Sequence, residues 1–173
     1  DATFSRIGTL AEQLGLSIHT HLHETADEIH DSLTRFGVRP IERLASLGLL
    51  GPNFIGVHAV HLTETDIDAL AQFNCHIAHC PTSNLKLSSG IAPLGAMLEA
   101  GINVGIGSDG AASNNRLDMF SEMRLAALLA KGTQGDASAC AAETALRMAT
   151  LNAARALNLD HQIGSLTAGK RAD

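Results

Sequence analysis

Four short apolar runs recur along the 173-residue chain, and each ends in polar residues: "GLSIHTHLHE", "NFIGVHAVHL", "CHIAHCPTSN" and "GINVGIGSDG". Helix-like stretches lie between them. Ala2–Leu14 precedes the first run, residues 25–36 and 40–50 follow it, and residues 64–73 follow the second. Residues 91–100 come after the third, with Gly101 placed to end that helix in a left-handed conformation. Residues 116–131, 137–149 and 151–157 come after the fourth. A strand followed by a helix, repeated four times, predicts an α/β fold with a parallel sheet. The runs are largely apolar, as strands buried on both faces require.

The polar clusters fall where the strands end. His21 and Glu24 close the first run, His58 and His61 the second, Pro81 to Asn84 the third, and Ser108 with Asp109 the fourth. In a parallel sheet or barrel, ligands bind at the carboxyl ends of the strands, so the four clusters should converge. Four strands are half of an eight-stranded barrel, which takes ~250 residues. The chain therefore reads as part of a (β/α)8 barrel rather than a whole one.

Composition narrows the chemistry. Lys and Arg number 12 against 18 Asp and Glu, a net charge of −6 that gives no basic face for nucleic acid. Aromatics are 3% with no Trp or Tyr, so base-stacking platforms are not expected. No run approaches the ~20 apolar residues of a membrane span. Three cysteines without a CxxC spacing fit a reduced, cytoplasmic protein. The nine histidines are unevenly placed, with eight between His19 and His79. That concentration points to a site rather than to core filling.

In "IHTHLHETADE", His21 and Glu24 are three residues apart at a strand end. A neutral imidazole there can bind a metal, and a carboxylate that binds none can carry protons. His19, His21 and His23 share one strand face by their spacing, which does not single out the ligand. A hydrogen-bonded histidine cluster is the competing reading. Asp109 lies in the glycine-rich "GIGSDGAASNN", where an ordinary Asx turn is the alternative. His58 can equally be a core histidine, His61 reads as structural, and His76 and His79 are ambiguous. Cys75 and Cys80 read as core. Met119 and Met123, at helical spacing with Ala126 and Ala130, read as packing. The glycine-rich turn lacks the GxxxxGK[ST] of a phosphate loop. Together, histidines at two strand ends and an aspartate at the last suggest a metal-dependent hydrolase, in which a divalent ion makes water acidic near neutral pH.

At these residues the chain resembles a known family. "HTHLHET", "VHAVHLTETDI", "AHCPTSNLKLSSGIAP", "VGIGSDGAASNNRLDMF" and the closing "IGSLTAGKRAD" are similar to the amidohydrolase superfamily. Within it they resemble the nucleoside deaminases specific for 5′-methylthioadenosine and S-adenosylhomocysteine, and their chlorohydrolase relatives. The resemblance implies a TIM-type metal-dependent hydrolase barrel, of which residues 1–173 are the C-terminal half, strands five to eight with their helices. It implies that His21 and Asp109 bind one divalent metal, zinc with iron or manganese as alternatives. It implies that Glu24 moves protons, that His58 contacts water or substrate, and that Asp109 takes a proton from the attacking water. Glu24, His58 and Asn84 would touch the substrate, with Ser83 beside them, and His19 and His23 would be supporting. A first-strand His-x-His carrying two further ligands, and the groups that grip the ribose, belong to the other half and are not in this chain. The closing segment resembles the exit toward a small β-sandwich. The implied substrate is a small nucleoside or heterocycle, with guanine and chlorotriazines as rivals to the adenine nucleosides. The rival from a different class is a catalytically incomplete piece, whose open strand edges invite pairing with the other half or a second copy as a homo-oligomer.

Overall fold

The computed structural model describes residues 1–171. Helix α1 (Ala2–Leu14) leads into β1 (Ile18–Leu22), followed by α2 (Ala26–Phe36) and α3 (Pro40–Ser46). Next come β2 (Phe54–His58), α4 (Glu64–Gln72), β3 (His76–His79), α5 (Pro81–Lys86), α6 (Leu94–Glu99) and β4 (Asn103–Ile106). Three helices finish the described chain: α7 (Met119–Gln134), α8 (Ala142–Ala149) and α9 (Leu151–Ala156).

The strands form one parallel sheet in the order β1-β2-β3-β4. Each strand lies beside its neighbour in sequence, with helices in every crossover. A doubly wound sheet reverses its strand order at a switch point, and this sheet does not. Parallel alignment brings all four carboxyl ends to one rim, as the pattern of polar clusters predicted.

Local chemistry sets the element boundaries. Thr25 caps α2 by accepting the Glu28 N–H, and Gly37 ends that helix at φ 75°. In α4, Thr63 and Asp66 form a reciprocal capping box. Gly101, at φ 77°, terminates α6 as predicted. Several predicted helices are shorter than their patterns. The turn through Gly48 at φ 69° stops α3 at Ser46. Asp118 caps α7 at Met119, and Asp136 draws the Ser138 N–H and hydroxyl into a turn that delays α8. One element was not predicted: Pro81 to Asn84, read as loop, form the first turn and more of α5, because Pro81 occupies the first helical position without losing a needed donor.

The core lies between the sheet and its helices, with Leu22, Ile41, Phe54, Leu70, Ile77, Met97, Val104, Ala126 and Met148 almost fully buried. Each large side chain there contributes about 1.5–3 kcal/mol by leaving water. Met119 and Met123 pack against this core, and Cys75 and Cys80 lie within it. Strand β2 is buried throughout, whereas β1 leaves His19 and His21 exposed. Helix α9 crosses β4 so closely that a Cβ on Gly105 would be 3.1 Å from the Ala153 Cα. The predicted exit lies in residues 163–173, and its final two residues are outside the described residues. Among the described residues, no helix is long and apolar enough to cross a membrane.

Candidate active site

The histidine-rich stretch divides its imidazoles between two jobs. The His21 ring stacks on the His58 ring, with centroids 5.4 Å apart and planes inclined by 25°. His23 turns the other way, because its backbone enters the left-handed region at φ 51°. Its buried Nδ1 donates to the His61 carbonyl at 3.2 Å, and its Nε2 accepts the Ile41 N–H at 3.2 Å. Those partners fix a neutral ring with the proton on Nδ1. Burial holds the His23 pKa below its ordinary value, against a smaller upward pull from Asp66. His23 is thus a fastening between β1 and α3. His19 is exposed on β1.

Around His23 lies a charged lattice. Arg39 donates Nε and Nη2 to Asp66 at 2.9 and 2.7 Å, and Nη2 also to the His61 carbonyl at 2.7 Å. Burial raises the Asp66 pKa, but the Arg39 bonds and the Thr63 bonds outweigh it, so the net shift is downward. His61 donates its Nε2–H to the Ser89 carbonyl at 2.8 Å and is structural as expected.

Glu24 follows the turn at His23. Its Oε2 lies 3.7 Å from His58 Nε2, and its Oε1 accepts the Ser89 hydroxyl at 3.4 Å. Its backbone is held more firmly: Glu28 accepts the N–H of His23 at 2.9 Å and that of Glu24 at 2.8 Å. His58 is buried at the end of β2, at φ 75°. Its Nδ1 is 2.8 Å from Asn84 Oδ1, a carbonyl that can only accept, so the proton is on Nδ1 and Nε2 faces Glu24. Asn84 lies in α5, is 1% exposed, and leaves Nδ2 without a partner among the described residues. His79 is buried, its Nδ1 has no partner among the described residues, and burial depresses its pKa to about 4.

Asp109 ends the β4 segment at φ 59°. Ser83 donates its hydroxyl to Oδ2 at 2.6 Å, and the Gly110 N–H reaches Oδ1 at 2.7 Å. The Ser83 bond is the main reason its carboxyl stays below the usual carboxylate range, with Gly110 adding to it against partial burial. The turn carrying Asp109 is pinned to α7 by buried Glu122, which accepts the Asn114 amide at 2.7 Å and the Thr82 N–H at 3.1 Å. Lys86 ties the same turn to α5 through the Ala112 carbonyl at 2.6 Å.

The structure therefore gathers His21, Glu24, His58, Asn84, Ser83 and Asp109 around one rim through a relay of contacts. His76 lies at the opposite end of its strand, bonded to Asn103 at 3.0 Å. Sequence reasoning missed Glu28, Arg39, Asp66, Ser89 and Glu122. Thr25 and Glu28 have capping-box spacing, but that signal points to a helix cap and not to the end of the preceding strand.

The amidohydrolase family model matches residues 1–173. The chain belongs to the amidohydrolase family. It is 51% identical over 176 residues to a 5-methylthioadenosine/S-adenosylhomocysteine deaminase of Teredinibacter turnerae, covering 100% of this chain and 39% of that relative. An adenosine deaminase from Xanthomonas campestris, solved with bound zinc, superposes with a TM-score of 0.97 at 50% identity, covering 99% of this chain and 39% of that one. An atrazine chlorohydrolase of Arthrobacter aurescens, complexed with zinc, gives 0.92 at 30% identity, covering 98% and 38%. This amidohydrolase chain thus spans about two-fifths of the length of these relatives.

Donor chemistry decides how far a metal fits here. His21 offers nitrogen and Asp109 oxygen, a set suited to zinc, iron or manganese. A catalytic zinc takes three protein ligands. Among the described residues, no three His, Cys, Asp or Glu side chains are gathered closely enough to hold an ion. These two donors fall short of the three that such a site needs.

Proposed function

We propose that this chain supplies strands five to eight, with their helices, of an eight-stranded amidohydrolase barrel. The whole protein would hydrolyse the amino group of S-adenosylhomocysteine or 5′-methylthioadenosine, giving the inosine analogue and ammonia. The observation that carries the reading is the rim itself: two carboxylates, Glu24 and Asp109, flank paired imidazoles in a chain half identical to proteins bearing that name. His21 and Asp109 would hold a divalent metal, which supplies acidified water at neutral pH when completed by ligands from outside this chain.

The chain's own residues then divide the proton work. Asp109, ionised because of Ser83 and Gly110, accepts a proton from the attacking water. Oxygen bonds to the amino-bearing ring carbon. Glu24 passes a proton to the ring nitrogen, the amino group takes the proton held by Asp109 and leaves as ammonia as the C–N bond breaks, and the proton of the added hydroxyl reloads Glu24 as the C–O double bond forms. His58, with Nδ1 committed to Asn84, presents Nε2 toward the reacting oxygen. Asn84 supports the substrate side of the rim through His58. All three cysteines are free and buried, which supports a reducing, cytoplasmic setting.

The test is ammonia or chloride release by the full protein supplied with S-adenosylhomocysteine, 5′-methylthioadenosine, guanine and a chlorotriazine. Preference for the adenine nucleosides is expected, and preference for either of the others overturns the substrate assignment. Glu24→Gln should lower kcat by about 10²–10⁴-fold, the range of general acid–base catalysis. A second reading follows from the partial metal shell: residues 1–173 alone are catalytically incomplete. Stoichiometric metal together with turnover in the isolated chain would refute it.

A further inference from the structure

We propose that Glu28 is the positioning residue for Glu24, an inference that rests on the deaminase reading for its catalytic meaning. Glu24 is asked to deliver a proton to one ring atom, yet its own carboxylate is weakly held. Its contacts to Ser89 and His58 are 3.4 and 3.7 Å long, at or beyond the limit of a useful hydrogen bond. Something other than its side chain must fix where that carboxylate starts.

The main chain does so. Glu28 stands at the third position of α2, where a capping carboxylate ordinarily returns to the N–H of the cap residue. Here the cap is Thr25, whose hydroxyl accepts the Glu28 N–H at 3.2 Å. The Glu28 carboxylate reaches past Thr25 and takes the two preceding amides, Oε1 that of His23 and Oε2 that of Glu24. Both oxygens are engaged by consecutive N–H groups, at the point where His23 enters the left-handed region. These charge-assisted bonds are stronger than neutral ones. They lock the turn that separates His21, facing the rim, from His23, facing the core. The side chain of Glu24 stays free to move its proton while its Cα does not move.

The full protein carrying this chain provides the test. Glu28→Gln keeps the shape but offers one acceptor and one donor, so one of the two amides faces another N–H. Turnover of S-adenosylhomocysteine should fall about 30- to 100-fold in kcat, as for a catalytic group misplaced by an ångström, with KM nearly unchanged. Bound metal per chain should match the wild type. Thr25→Ala removes the cap of the same helix without touching either amide, and should lower thermal stability while leaving kcat within about twofold. A crystal structure of Glu28→Gln should show the Glu24 Cα displaced on the order of 1 Å.

Equal effects of the two variants would reduce Glu28 to a helix cap and overturn the proposal. So would metal loss in step with activity, which would place its action on His21. A wild-type protein inactive on every compound would sink the deaminase reading alone. The crystal structure then decides Glu28, and an unmoved Glu24 rejects it.

Discussion

Two carboxylates reach the rim, and they are secured in opposite ways. At the end of β1, Glu24 has a fixed main chain and a loose side chain, its amide clamped by Glu28 and its flanks fastened by the His23, Arg39 and Asp66 lattice. At the end of β4, Asp109 lies in a glycine-rich turn, but both its oxygens are gripped directly, by Ser83 and by Gly110. The difference fits the two tasks proposed for them. A group that carries protons must swing a short way from a fixed root. A group that holds an ion or orients water needs its oxygens fixed.

The largest expected effect tests the fastening on the β1 side. Asp66→Ala strands Arg39 and removes the partner of the His23 lattice, and should lower unfolding free energy by about 3 kcal/mol in a guanidinium titration, the low end for breaking a buried pair because Arg39 is partly exposed. A loss below about 1 kcal/mol would mean that packing, and not this lattice, secures the β1 end.

Acid should find the histidine side first. His23 and His79 have folded pKa values below their unfolded ones, so the unfolded chain binds more protons as the pH falls. Stability should therefore decline from about pH 6.5 toward pH 4, with His79 alone contributing roughly 3 kcal/mol across its shift. His79→Leu should flatten that slope in thermal melts taken from pH 7 to 4. Asp66 and Asp109 have depressed pKa values, so their stabilisation is complete above the ordinary carboxylate range and disappears only as the pH drops through their lower folded values. An acid loss confined below pH 4 would contradict the histidine assignment.

Smaller effects separate gripped oxygens from loose ones. Ser83→Ala removes the 2.6 Å bond to Asp109 and should destabilise by about 1–2 kcal/mol, a charged hydrogen bond discounted for partial exposure. Ser89→Ala removes only the 3.4 Å contact to Glu24 and should stay within about 0.5 kcal/mol by the same denaturation measurement. Equal losses would erase the distinction between the two carboxylates.

The sheet was legible because alternation of apolar runs with helical stretches records burial, and burial dominates parallel strands. The rim was legible because polar residues interrupt those runs at their ends: His21, Glu24, His58 and Asp109 announce themselves as anomalies. Glu28 and Asp66 do not, because acidic residues at the start of a helix are ordinary and their second partners come from other elements. Asn84 was expected beside the substrate on a loop. Its bond to His58 joins α5 to the end of β2 across 26 residues, a long-range fact that spacing does not encode. The duty of His23 was hidden for the same reason, since a single left-handed residue reversed the face that strand alternation assigns.

That same backbone region recurs at His58 and Asp109. Glycine would relax each position, and histidine and aspartate tolerate it only at a conformational cost of order 1 kcal/mol. At Asp109 that relief would be cancelled, because glycine forfeits both carboxylate bonds, to the Ser83 hydroxyl and to the Gly110 N–H. A laboratory screen rewarding heat resistance alone would therefore have no reason to discard this side chain, since the twist in its backbone is held by what the side chain itself grips.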